Sequence, residues 1–99
     1  MKFLFELSNL AKTDLEEIWI YTVNEWSIRQ ANSYYKFIIS KIEDICKNPA
    51  IGKSIANIKQ NHKVLKVKSH LIVYQIKDEK IWIDRILHKS MDVETRIKN

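Results

Sequence analysis

The apolar residues of this chain change their period once, near position 50, and that change limits the folds open to it. In the first half they fall at Ala11, Leu15, Ile18, Trp19, Thr22 and Trp26, and then at Ile28, Ala31, Tyr35, Ile38, Ile42 and Ile45. Steps of three and four place each set on one face of an amphipathic helix. Ser8 or Thr13 can cap the first helix, and Asp14, Glu16 and Glu17 lie in its early turns, where the helix dipole favours acids. Ser27 and Gln30 have capping-box spacing for the second, which Asn48 and Pro49 end. Ser27 follows Trp26 directly. Two helices with almost no linker must fold back on each other as an antiparallel hairpin.

The apolar stripes of that hairpin need a surface to cover. "KFLFEL" at the start reads as a short buried strand, and "KVLKVK", "HLIVYQI" and "KIWIDRILH" in the second half are β-branched and aromatic runs, with "KDEK" as the turn between the last two. The expected fold is α+β: an N-terminal strand, an antiparallel helical hairpin, then a three-stranded antiparallel meander, all in one domain over 1–99. With 45% apolar residues and a single Gly and Pro, the chain has the means to build a core and little of the composition of disordered chains.

Several function classes drop out on composition. One cysteine, Cys46, cannot make an internal disulfide, and three scattered histidines have no zinc-ligand spacing, so Cys46 reads as core. The only glycine is Gly52, which excludes a glycine-rich phosphate loop. "MKFLFEL" has an apolar run too short for a signal peptide or a membrane span, so a cytoplasmic location is expected. Trp19, Trp26, Tyr34, Tyr35 and Trp82 could stack on bases, yet only Tyr34 lies clearly off its apolar stripe.

Charge is distributed unevenly. Lys and Arg number 6 against 7 acids in residues 1–48, and 11 against 5 in residues 49–99. Between Lys53 and His70 stand five lysines and no acid, either a solvated strip or a surface for an acidic partner such as nucleic acid or a protein segment.

The remaining candidates for chemistry are Arg85 and His88 of "DRILHKSMD". Three positions apart in a regular strand, their side chains leave opposite faces of the sheet. Parity groups Arg85 with Ile81, Ile83 and Leu87, and His88 with Trp82, Asp84 and Ile86. Arg85 is expected to pair with a carboxylate, and His88 to finish the strand as a hydrogen-bonded histidine, with a catalytic base as the alternative.

"DLEEIWIYTVNEW", "QANSYY", "NPAIGK", "HLIVYQI" and "IDRILHKSMD", in this order and with these gaps, closely resemble the ParE toxins of bacterial toxin–antitoxin pairs, within the RelE/ParE superfamily. The resemblance spans about Leu7 to Asp92 and implies the fold derived above. It also implies a toxin that poisons DNA gyrase by binding, with no catalytic residue, neutralised by a cognate ParD-like antitoxin whose C-terminal segment wraps it. No cofactor, metal, membrane or small-molecule substrate is implied, and operator DNA enters only through the antitoxin. The antitoxin is expected on Lys59, Lys63, Lys66, Lys68 and Arg85, and the target on Tyr34, His88, Met91 and Asp92.

Two alternatives stay open. A RelE-like ribosome-dependent endoribonuclease would use Lys66, Lys68, Arg85 and His88, because cleaving RNA without a metal takes a base, an acid and a cation converging on one phosphate. Against it, Leu71 stands where such enzymes are expected to carry an Arg, and Lys89, Ser90 and Met91 follow the last strand. A decayed toxin that only binds its antitoxin as a co-repressor is the other.

Overall fold

Two serine hydroxyls start the helical layer. Ser8 Oγ accepts from the Ala11 amide at 3.0 Å and opens α1 (Asn9–Glu25); Ser27 Oγ accepts from the Gln30 amide at 3.0 Å and opens α2 (Ile28–Lys47). Trp26 and Ser27 are the whole connection, and Trp19 Nε1 donates to Asn32 Oδ1 at 3.0 Å, the register of two helices folded back about that turn. The computed structural model describes residues 2–97. Strands β1 (Leu4–Leu7), β2 (Lys53–Ser54), β3 (His62–Val67), β4 (His70–Lys77) and β5 (Lys80–His88) form one sheet in the order β1-β5-β4-β3-β2.

The expected element order is present, with three additions. β1 runs parallel to β5, which places the N-terminal strand on the edge beside the C-terminal one, and the rest of the sheet is antiparallel. The two-residue β2 and a short C-terminal helix, α3 (Val93–Ile97), are the others. Their brevity left no periodic pattern to read.

The sheet has a core on each face. Toward the hairpin, Leu15, Ile38, Ile42, Ile45, Ile72, Tyr74, Ile81 and Ile83 form the larger cluster; on the other side Val73 and Leu87 pack with Ile55 and Ile97. Of the α2 stripe, Ala31, Ile38, Ile42 and Ile45 are buried, joined by Cys46, whereas Ile28 and Tyr35 are exposed, as is Trp26. Trp26 and Ile28 flank the hairpin tip, and Tyr35 lies beside Trp19 on the outer side of the helices. Helical periodicity located the stripe; burial ends at the hairpin tip beyond Ala31, and Tyr35, between buried Ala31 and Ile38, lies on its outward margin.

One irregularity in β5 has wide effects. Val73 pairs with Arg85 and Tyr74 with Ile83, so Asp84 is an extra residue, a β-bulge. The alternation of faces is reset there. Ile81 and Ile83 before it and Ile86 after it all point into the hairpin-side core, while Leu87 points to the opposite one. Arg85 therefore does not share a face with Ile81 and Ile83, and His88 does not share one with Trp82. That corrects the uninterrupted parity grouping, although Arg85 and His88, both beyond the bulge, still leave opposite faces.

Gly52 follows a 3-10 turn (Pro49–Ile51) and faces the Tyr74 ring. The Gly52 amide donates to Tyr74 Oη at 2.9 Å, and Oη donates to the Pro49 carbonyl at 2.6 Å. A methyl group at Gly52 would lie 2.7 Å from Tyr74 Cε1, and Tyr74 is buried and cannot move aside. Gly52→Ala should cost about 1–3 kcal/mol through overpacking, and Ile38→Ala, which removes a side chain with no exposed area, on the order of 2–5 kcal/mol through a cavity. Urea unfolding at constant m-value checks both; an Ile38→Ala midpoint equal to that of the parent chain would mean that α2 presents a different face to the sheet.

Candidate functional site

Past Ile83, β5 has no strand on its outer side, and α1 takes that place. The Ser8 amide donates to the Ile83 carbonyl at 3.0 Å, Ser8 Oγ to the Asp84 carbonyl at 2.7 Å, and the Ile86 amide to Asp14 Oδ2 at 2.9 Å. Asp14 also receives Arg85 in a two-pronged pair, Nε at 2.8 Å and the outer guanidinium nitrogen at 2.9 Å. That pairing raises the Arg85 pKa above its already high value and outweighs the effect of burial. The expected carboxylate partner of Arg85 is thus one of the fold's own.

Because β1 is short and α1 leaves the sheet edge here, an open groove of about 940 Å³ forms between the hairpin and the C-terminal end of β5. α1 contributes Asp14, Glu17, Ile18 and Tyr21, α2 contributes Tyr34 and Phe37, and the sheet contributes Lys68, His70 and His88, with Met91 just beyond. Ile18, Tyr21 and Phe37 give the helical wall an apolar patch, Asp14 and Glu17 interrupt it, and Lys68, His70 and His88 make the sheet end polar. A groove of this kind suits a ligand or segment with an apolar side and one polar anchor.

At the sheet end three side chains meet. Tyr34 Oη lies 2.6 Å from His70 Nδ1, and the His70 and His88 rings stand edge to face with centroids 5.4 Å apart. Val67, His70 and His88 lie opposite one another across β3, β4 and β5. Burial pushes the His70 pKa down to about 4, the neighbouring His88 acts in the same direction, and Asp14 opposes them in part. Burial raises the Tyr34 pKa, against the opposing influence of a backbone hydrogen bond at Ser69. His88 Nδ1 is engaged by Ser90, its hydroxyl at 2.7 Å and its amide at 3.1 Å.

The expected site residues are divided by this geometry. Tyr34, His88, Met91 and Lys68 line the one groove. Lys68 sits in the β3–β4 turn with a left-handed φ of 54°, its ammonium 4.5 Å from the centre of the Phe37 ring. Lys66 pairs with Leu71 and Leu71 with Leu87, which puts Lys66 on the face away from the hairpin together with Arg85. Lys63 lies opposite Tyr74 and Ser54, and Lys59 donates to the Ile97 carbonyl at 3.3 Å. The lysines between positions 59 and 68 are therefore spread over both faces and are not one continuous strip. Asp92 caps α3, accepting from the Glu94 amide at 3.2 Å and from Thr95 Oγ1 at 2.6 Å. Among the described residues, no three His, Cys, Asp or Glu side chains are grouped to hold a metal ion, and no helix is long and apolar enough to cross a membrane.

His70 was not singled out in the sequence. The signal was present: a two-residue turn at Lys68–Ser69 makes Val67 and His70 partners, which places His70 on the same face as Val67. Its pairing with His88 needed the Asp84 bulge, which pattern alone does not reveal.

Keeping His70 neutral has a pH signature. The unfolded ring takes up a proton near pH 6.5 and the folded one only near 4, so the unfolded state binds more protons between those values and stability falls as pH drops from 6.5 toward 4, then levels off. Above pH 6.5 His70 makes no such demand. Urea midpoints from pH 7 to 4 should decline less steeply in folded His70→Gln than in the parent chain; parallel curves would assign the decline to other groups.

Comparison with known proteins places the chain in a defined company. Residues 5–93 match the family described as the ParE toxin of the type II toxin–antitoxin system, parDE. The chain is 33% identical over 98 residues to Toxin ParE1 of Mycobacterium tuberculosis, covering 98% of this chain and all of that one. It is 30% identical over 93 residues to Toxin ParE1 of Caulobacter vibrioides, covering 94% of this chain and 96% of that one. In structure it is similar to a chain of the chromosomal ParDE system from P. aeruginosa, with a TM-score of 0.76, 16% identity and coverage of 88% and 96%. It also resembles a chain of the RelBE2 toxin–antitoxin complex from Mycobacterium tuberculosis, with a TM-score of 0.64, 16% identity and coverage of 90% and 100%.

Proposed function

The chain belongs to the ParE toxin family of type II toxin–antitoxin systems, and from that premise we propose that it arrests growth by binding and poisoning DNA gyrase and is neutralised by a cognate antitoxin. The groove lined by Tyr34, His88 and Met91 is the surface offered to the target, with Lys68 at its mouth. An antitoxin segment lying over the groove would hide Tyr34, His88 and Met91 at once. A segment with acidic residues would also meet Lys68 in the groove, and would reach Lys66, exposed on the opposite face, by continuing round the edge of the sheet.

The observation that carries binding over RNA hydrolysis is the separation of the four groups a ribonuclease would need. Lys68 and His88 face the groove, Lys66 and Arg85 leave the other side of the sheet, and Arg85 is already paired with Asp14. A phosphorane needs its base, acid and cation around the same phosphate. The contrary feature is the Tyr34, His70 and His88 cluster beside Lys68, which has the side-chain types for proton transfer and supports the ribonuclease reading as second.

Purified protein is expected to inhibit gyrase supercoiling and raise the amount of cleaved DNA while leaving RNA and ribosome-bound message intact. Folded His88→Ala should keep most of that inhibition, because one truncation outside a hot spot removes only part of a binding energy. A ribonuclease would lose a factor of about a hundred or more on losing its base. Message cleavage by the parent protein, absent in His88→Ala, would sink the gyrase reading. On the antitoxin side, Lys66→Glu with Lys68→Glu should weaken the complex about tenfold at low salt and flatten its salt dependence; unchanged affinity in calorimetry would leave these lysines as solubilising charges.

A further inference from the structure

The hydrogen bonds at the two groove histidines determine which ring nitrogens remain available. A backbone amide can only donate, so the Ser90 N–H directed at His88 Nδ1 leaves that nitrogen as an acceptor and puts the proton of the neutral ring on Nε2. The Tyr34 hydroxyl lies 2.6 Å from His70 Nδ1 and 3.4 Å from the Val67 carbonyl. The nearer nitrogen takes its proton, and His70 likewise carries its own on Nε2. Two rings 5.4 Å apart thus each offer one N–H and no lone pair, and Lys68 brings a cation to the same groove. That trio can only donate. A metal ion is excluded as its complement, since binding one through Nε2 would require both tautomers to reverse.

We infer that the sheet end of the groove is a receptor for a single carboxylate, presented by an acidic side chain on an otherwise apolar segment of a protein partner. The apolar patch of Ile18, Tyr21 and Phe37 on the helices accounts for the segment, and the donor trio accounts for its anchor. Asp14 and Glu17 on the α1 wall favour one carboxylate over a nucleic-acid strand, whose phosphates recur at every nucleotide and would have to pass both acids. Once seated, the carboxylate supplies a counter-charge to His70. Binding then raises the ring's pKa from about 4, and affinity rises as pH falls toward that raised value. Tyr21, Tyr34, His88, Asp14, Glu17 and Lys68 are the other titratable groups lining the groove, and Asp14 is held by Arg85.

The receptor rests on reading the groove as a protein-binding surface but needs neither gyrase nor antitoxin for its test. Hexanoate, hexanol and hexyl phosphate share one apolar tail, and each can be titrated into the purified chain while the histidine ring signals are followed by NMR. Hexanoate should shift both His70 and His88 saturably and bind about tenfold more tightly than hexanol, the margin of a charge-assisted hydrogen bond over a neutral one at a partly wet site. The margin should widen from pH 7 to 5.5, as His70 nears its raised pKa, and shrink in Lys68→Met, a surface change that leaves the core alone. Equal affinity for hexanoate and hexanol would overturn the receptor, and hexyl phosphate binding more tightly than hexanoate would overturn the carboxylate assignment in favour of a phosphate. The parent chain alone decides the first comparison, so no variant has to fold for the result to count. Gyrase inhibition and message cleavage are read separately and can fail without altering this outcome.

Discussion

The extra residue at Asp84 is the constraint on which the working end of the molecule depends. A bulge leaves one residue without a ladder partner, and this one is held by side chains instead. The Asp84 carboxylate receives Gln75 Nε2 at 3.2 and 3.3 Å and meets His62 Nε2, while its carbonyl accepts from Ser8 Oγ. His62 is only 4% exposed and donates through Nδ1 to the Gln60 carbonyl at 2.8 Å, with its other ring nitrogen against the Asp84 carboxylate. Four segments meet at that point: the start of β3, β4, β5 and the start of α1. A polar cluster so fully hydrogen-bonded costs little to bury and tolerates few rearrangements.

Everything beyond the bulge follows from the reversal it imposes. Without it, Arg85 would continue the Ile81 and Ile83 face into the hairpin core and His88 would leave by the other side. With it, Arg85 turns outward to Asp14, Ile86 takes the core position, and His88 arrives beside His70 under the helices. The same Asp14 that accepts Arg85 also accepts the Ile86 amide, so α1 seals the edge of β5 where β1 stops. The groove is the space left by this change of edge partner from a strand to a helix. Its polarity results from the same event, because the residues delivered to its floor are two histidines whose Nδ1 atoms are already occupied.

Much of this was legible in the residues. The two helices, the cap at Ser27, the absence of a linker, the meander and the opposite facing of Arg85 and His88 all follow from period, capping chemistry and strand parity, which are local, whereas the choice of Ser8 over Thr13 as the first cap came from the structure. Local rules erred where the answer depended on what lay opposite. Tyr35 and Ile28 fit the α2 stripe as well as Ile38 does, yet neither has a layer against it. Lys59, Lys63, Lys66 and Lys68 look like one strip in order of residue number, but alternation along β3 and the turn at Lys68 separate them.

What the sequence determined by itself was therefore the set of elements, their order and the family to which five blocks of residues point, because each of these is encoded by neighbours within a few positions. Only the tertiary structure decided that β1 would pair parallel with β5, that Asp84 would stand outside the ladder, and that Tyr34, His70 and His88 would meet. Those outcomes join residues 9 to 76 positions apart. They are chosen by whichever register buries the most apolar surface while leaving the fewest buried polar groups without a partner, here Trp82 Nε1 among the described residues, a balance no local stretch contains.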